Sequence, residues 1–383
     1  MAENQHLEDA LQRLVGQYLG RRYRIDDLLG VGGMGAVFRG YDASSKRDVA
    51  IKLLRPELVD SVEAVSRFRR EALAIARLQH NNCVRVHDVA QTQSGLRYMV
   101  MEFIPGKQLS SFLGEPLAVV RSIDLARQVL AGLDHAHARN IVHRDIKPDN
   151  ILIAQGDNGR ELVKLVDFGI ARVLEESRDP DAFNTVVGHV FGTPSYMSPE
   201  QASGKSVDHR ADLYTTGLVL YEMLCGKRAF SGNNAVAVVT KQLMADPEPL
   251  PDSVPQSVQG LVHLLMKKDP NDRYQSAAEA GTALEGVISE LFKAGWKDEA
   301  RPAPAPAFTH TQVVGGRPKG KGGAKDFDEA MKAVLATSTQ KAIDGLGVSA
   351  VPPTPETQPS GASVTQISGI DLDNLELGDL GDL

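Results

Sequence analysis

His143-Arg144-Asp145-Ile146-Lys147-Pro148-Asp149-Asn150, followed after a short interval by Asp167-Phe168-Gly169, is the stretch that decides how this chain is read. It gathers a carboxylate, an ammonium, an amide oxygen and a second carboxylate. Phosphoryl transfer needs little covalent help from protein; it rests on positioning the acceptor hydroxyl and neutralising charge with Mg²⁺. Asp145 suits receipt of the acceptor's proton and Lys147 a contact with the moving phosphate. Asn150 and Asp167 offer hard oxygen ligands of the kind Mg²⁺ prefers. Either short string alone reads as well as a turn, so their order and spacing carry the weight.

Upstream, Leu29-Gly30-Val31-Gly32-Gly33-Met34-Gly35-Ala36-Val37 fits a G-x-G-x-x-G-x-V pattern, with Val37 and Phe38 where a second strand would begin. Glycine lets backbone approach phosphate oxygens without a Cβ in the way, although the same run also reads as a hairpin turn. Next comes Val49-Ala50-Ile51-Lys52, an apolar strand ending in a lysine. A lysine on a buried strand is expensive unless paired, so a partner carboxylate is expected. Glu71 is the candidate. It lies in Val62 to Leu78, where Val65, Phe68, Ala72, Ile75 and Ala76 recur at helical spacing and leave Arg67, Arg70 and Arg77 for the wet side. From the residues alone, Glu71 is equally readable as a solvated helix carboxylate.

In this order the segments resemble the catalytic core of the protein kinase superfamily, and the bacterial eukaryotic-like serine/threonine protein kinases in particular, over about Tyr23 to Leu291. The resemblance implies an α+β, two-lobed fold: an antiparallel five-stranded small lobe with one principal helix, and a mainly helical large lobe. ATP with Mg²⁺, or Mn²⁺ in its place, would occupy the cleft between them. It assigns Asp145, Lys147, Lys52 and Glu71 to catalysis, with Glu71 as the ion-pairing helix glutamate, and Asn150 and Asp167 to the metal. To ATP it assigns Gly30, Val31, Gly32, Gly33, Gly35, Val37, Ala50 and Lys52, with Met101 as gatekeeper and Glu102 to Ile104 as hinge backbone.

The run Gly192-Thr193-Pro194-Ser195-Tyr196-Met197-Ser198-Pro199-Glu200 resembles the end of an activation segment, with Ser198 where many relatives carry alanine. By the same resemblance Glu200 pairs with Arg273, Thr193 completes the acceptor site near Asp145 and Lys147, and Asp212 holds backbone near His143 and Arg144. Lys147 and the Gly-Thr-Pro-Ser-Tyr run together imply serine or threonine in protein substrates as acceptor. Arg144, beside the base, invites an anion such as a phosphorylated threonine. Thr185 is therefore expected to be an autophosphorylation site, with Ser177 second.

Composition agrees with a folded enzyme plus appendages. A net charge of −7 gives no basic footprint for nucleic acid. Cys83 and Cys225 sit among apolar neighbours without a CxxC or Cys/His cluster, as buried thiols of a reducing compartment do. No apolar run spans a bilayer and the N-terminus has no secretory h-region, which leads us to expect a cytoplasmic protein. Leu7, Leu11, Leu14, Val15 and Tyr18 suggest a helical extension over 1–22, ahead of the first strand, with packing on its own domain or dimerisation as its roles. The kinase-like domain is expected over 23–293, its small lobe over 23–104 and its large lobe over 105–293. From 294 to 383 the chain turns Pro/Gly-rich, with a short helix expected over 327–343. Interleaved aliphatic and acidic residues close it from Ile370 to Leu383, read as a disordered acidic tail or as a docking peptide for a regulator.

Overall fold

Alternation along single strands builds the small lobe in the computed structural model, which describes residues 11–32, 35–54, 58, 61–92, 95–156, 159–168 and 194–296. Strands β1 (Tyr18–Leu19), β2 (Tyr23–Val31), β3 (Gly35–Asp42), β4 (Arg47–Leu54), β5 (Val86–Gln91) and β6 (Arg97–Glu102) form one antiparallel sheet in the order β1-β2-β3-β4-β6-β5. Side chains two apart share a face. Phe38, Val49, Ile51, Leu53, Tyr98 and Val100 therefore gather in one apolar cluster, while Leu54, Met99 and Met101 join the other, around helix α1 (Val62–Ala76). Lys52 lies out of phase with Val49, Ile51 and Leu53, so the pleat turns it toward α1 and the cleft. Ser61 caps α1, its side chain accepting from Ala64 N at 3.2 Å.

Residues 11–12 are helical, within the helix expected over 1–22, and residues 1–10 lie outside the described residues. Gly16 and Gly20 take φ of +88° and +57°, left-handed values that end a helix and let Tyr18–Leu19 pair with Arg24 and Tyr23. The sheet thus gains a sixth strand beyond the five expected, and its first strand precedes residue 23. Leu11, Leu14 and Leu19 are buried in the small-lobe cluster. Each leucine so buried contributes about 1.5–3 kcal/mol relative to exposure, so the described part of this segment belongs to the small lobe.

The large lobe starts with a three-stranded antiparallel sheet of β7 (Gly106–Gln108), β8 (Ile151–Gln155) and β9 (Glu161–Leu165). Among the described residues its helices are α2 (Val119–His137), α3 (Pro199–Ala202), α4 (Arg210–Cys225), α5 (Ala235–Met244), α6 (Gln256–Leu265) and α7 (Ala277–Lys293). Helix α4 is buried at every residue from Ala211 to Leu224, as befits an apolar helix packed on all sides, against α2 and α6 among others. Its polar residues are satisfied inside: the Thr215 and Thr216 hydroxyls donate to Asp212 O, and Tyr214 donates to Gln242 Oε1 at 2.7 Å. The helix expected over 327–343 and the tail lie outside the described residues.

Candidate active site

Two clusters of side chains come together around Asp167, which bonds to Lys52 and feels the charge of Lys147. In the first, β4 supplies Lys52, whose Nζ donates to Glu71 Oε1 of α1 at 2.6 Å and to Asp167 Oδ1 at 3.0 Å. Glu71 is 2% exposed, so the buried lysine has the partner its position demands. Burial alone would lower the Lys52 pKa, but the Asp167 and Glu71 carboxylates outweigh it and hold the ammonium charged well above its ordinary range. Asp167 is held below the usual carboxylate range, chiefly by that ammonium. Its side chain remains 47% exposed, open toward the cleft.

The second cluster belongs to the loop between α2 and β8. Lys147 Nζ donates to Asp145 Oδ2 at 2.9 Å, and Asn150 Nδ2 donates to Asp145 O at 2.8 Å and to Oδ2 at 2.9 Å. With the amide nitrogen engaged this way, the Asn150 oxygen points elsewhere. Arg144 and Asp167 both have left-handed backbone, at φ +63° and +52°, a conformation that costs about 1–3 kcal/mol for residues with a Cβ. What holds Arg144 there is visible. Asp212, 0% exposed, accepts from His143 N and Arg144 N, each at 2.8 Å, and lies 2.8 Å from His137 Nε2. Burial alone would raise the Asp212 pKa, but His137 and these backbone N–H groups hold it down.

His143 ties the loop to Asp167. Its Nδ1 accepts from Asp145 N at 3.3 Å, so the ring proton sits on Nε2, which donates to Val166 O at 3.1 Å. Burial lowers its pKa and keeps this neutral tautomer. The ring also lies 4.4 Å, centroid to centroid, from that of Phe168.

The glycine-rich turn divides by role. A Cβ at Gly35 would lie 2.1 Å from Leu53 O, so glycine there serves the close approach of β3 and β4. At Gly30 a Cβ would meet nothing within 4 Å, which leaves backbone accessible to a ligand. Val37 pairs with Lys52 and Ala50 with Met101 in strand register, and Met101 is buried. At the hinge, the Glu102 side chain accepts from Arg85 N and Lys164 Nζ, and Ile104 O accepts from Gly106 N. Val31 and Gly32 are described; Gly33, Thr193, Ser177 and Thr185 lie outside the described residues.

Below the loop, Arg273 and Glu200 form a buried bidentate pair, both bonds 2.8 Å, while the guanidinium also donates to the carbonyls of Lys267, Lys268 and Arg210. Several supports escaped the sequence reading: His137 against Asp212, Tyr196 donating to Glu222 Oε2, Gln242 donating to Ser195 O, and Gln201 donating to Arg144 O. For Gln201 a signal existed, since Ser198-Pro199-Glu200-Gln201 is a capping-box sequence with proline at the first helical position.

With this geometry in view, residues 23–283 match the family model of the protein kinase domain. The chain belongs to the protein kinase family. It is 38% identical over 283 residues to the serine/threonine-protein kinase Pkn3 of Myxococcus xanthus, covering 72% of this chain and 52% of that one. It is 37% identical over 279 residues to the serine/threonine-protein kinase PknA of Mycobacterium tuberculosis, covering 71% and 63%. The chain thus spans between about two fifths and two thirds of the length of the curated relatives it matches. Among solved structures, a double mutant of the Mycobacterium tuberculosis PknI kinase domain superposes with TM-score 0.53 at 25% identity, covering 70% of this chain and 95% of that domain. The kinase fold, with its antiparallel small lobe and helical large lobe, is therefore shared. No helix among the described residues is long and apolar enough to cross a membrane.

Proposed function

We propose that this kinase-family chain transfers the γ-phosphoryl group of ATP to serine or threonine hydroxyls of protein substrates. The observation that carries the reading is the convergence of Lys52, Glu71 and Asp167 beside the Asp145, Lys147 and Asn150 cluster. Lys52, kept charged between two carboxylates, holds the phosphates of ATP, and the open backbone at Gly30 covers them. Asp145, oriented by Asn150 and Lys147, takes the proton of the acceptor hydroxyl. Lys147 offers its ammonium to the phosphate in flight.

The donor set fits Mg²⁺, with Mn²⁺ as an alternative. Asp167 presents a half-exposed carboxylate, and Asn150 an amide oxygen turned from Asp145, the hard donors these ions take alongside substrate phosphates. When bound, the ion neutralises charge on the phosphates. The wider reading includes activation through autophosphorylation at Thr185, with Ser177 second, in cytoplasmic signalling, and docking of a regulator on the tail from Ile370 to Leu383.

Incubation of the full chain with labelled ATP, Mg²⁺ and myelin basic protein or casein tests the core of this. Label should appear on serine and threonine, and vanish in Asp145→Asn and Lys52→Met. Nucleotide binding without transfer by the wild-type chain would overturn the assignment. Peptide mapping after self-incubation tests Thr185, and a Thr185→Ala protein with full activity and no loop phosphate removes that step.

A further inference from the structure

The peptide unit leading into Asp145 is gripped at both ends. Arg144 N donates to Asp212 Oδ1 at 2.8 Å, and Asp145 N donates to His143 Nδ1 at 3.3 Å. The carbonyl between them, Arg144 O, accepts from Gln201 Nε2 at 2.8 Å. Gln201 is itself fixed: its Oε1 accepts from Ser198 N at 3.0 Å and its N donates to Ser198 Oγ at 3.3 Å. Ser198 is fully buried, and Glu200 between them is anchored by Arg273. The amide therefore spends its oxygen on α3 and its nitrogen on the catalytic loop.

This arrangement has a consequence for catalysis beyond capping a four-residue helix. A peptide held with Arg144 at φ +63° relaxes once a restraint is removed, and the next residue is the one whose carboxylate must meet the acceptor hydroxyl. We propose that Gln201 is a positioning residue for phosphoryl transfer: its side-chain amide locks the Arg144–Asp145 peptide and so ties the aim of Asp145 to the seating of segment 194–201. The inference rests on the kinase reading above. Lys52, Glu71 and Asp167 are bonded to one another and not to this amide, so the coupling acts on transfer and leaves nucleotide binding alone.

Gln201→Glu tests it, because glutamate keeps the length and an oxygen for Ser198 N–H but removes the donor to Arg144 O. Misplacement of a reacting group by about 1 Å costs up to about 10²-fold. The kcat for casein phosphorylation should fall about 10- to 100-fold, with KM for Mg-ATP within about twofold of wild type and the melting temperature lower by up to about 10 °C, because the Arg144 carbonyl loses its partner. Ser198→Ala serves as the comparison: it removes the hydroxyl cap and leaves the amide-to-carbonyl bond in place, so its kcat should stay within about threefold. Equal kcat losses in the two variants, tracking equal losses in melting temperature, would reduce Gln201 to a helix cap and overturn the proposal. An active wild type with Gln201→Glu at full kcat overturns it as well. A wild-type chain that moves no phosphate at all overturns the kinase reading, and this inference with it.

Discussion

Asp212→Asn should separate shape of the catalytic loop from charge in the cleft. The carboxylate accepts from His143 N at Oδ2 and from Arg144 N at Oδ1, both at 2.8 Å, in a site with no solvent access. Asparagine has one oxygen. Its NH₂ group must face one of the two backbone N–H donors, leaving that donor unpaired and costing about 1–3 kcal/mol. The surviving bonds lose their ionic character, which removes about 1–2 kcal/mol more. The sum is roughly 2–5 kcal/mol, and at about 2–4 °C per kcal/mol for a domain of this size the thermal midpoint should fall by about 4–20 °C. Freed from Asp212, Arg144 relaxes from its left-handed backbone, and kcat should drop on the order of 10²-fold. Affinity for Mg-ATP should hold, because Lys52, Glu71 and Asp167 do not touch Asp212. Differential scanning fluorimetry, steady-state kinetics and a nucleotide-displacement titration read these quantities separately. A variant that melts within 2 °C of wild type and keeps kcat within threefold would refute the claim that this carboxylate shapes the loop.

Other perturbations follow from the same contacts. Arg273→Ala strands the buried Glu200 carboxylate and three carbonyls, so stability should drop by about 3–5 kcal/mol in urea titration, whereas Glu200→Gln/Arg273→Met together should lose less than the single change. Glu71→Gln keeps an oxygen for Lys52 but leaves Asp167 as its one carboxylate partner; the weakened grip lets the lysine drift, and kcat/KM for Mg-ATP should fall at least tenfold with less than about 2 kcal/mol lost in stability. Acid should act in two stages. His143 is buried neutral with a lowered pKa, so below about pH 6.5 the unfolded state takes up a proton the folded state refuses, and stability falls as pH drops. Asp42, bonded to Arg22, and Asp212 have lowered folded pKa values; their contribution is present in full above the ordinary aspartate value near 4 and is lost as pH falls toward the folded values. Chemical denaturation from pH 7.5 to 3 should show a shallow decline beginning near 6.5 and a steeper one below about 4; a flat profile over that range contradicts both assignments.

What could be read from the sequence, and what could not, divides along charge. A lysine on an apolar strand requires a carboxylate, and Lys52 finds Glu71 19 residues on and Asp167 115 residues on. Glu200, once buried, likewise needs a cation, and the resemblance singles out Arg273 as that partner. Gln201 and Gln242 carry no such demand. An amide is as content with water as with a carbonyl, so nothing in the polymer's pattern requires Gln242 to lie buried with Tyr214 and Ser195 O as partners. Periodicity misleads at one residue of the N-terminal extension: Tyr18 falls at helical spacing with Leu11 and Leu14, but Gly16 and Gly20 carry left-handed backbone and Tyr18 pairs with Arg24 of β2. The neutral bonds nonetheless also join parts of the chain distant in sequence. Gln242 reaches from α5 to Pro194 and Ser195, and Gln201 reaches from α3 to Arg144, so segment 194–201 is held by α5 and itself grips the loop that carries Asp145. Ionic pairs anchor this site, and uncharged amides align it. Substitutions that preserve every charge in the cleft can therefore still lower its rate.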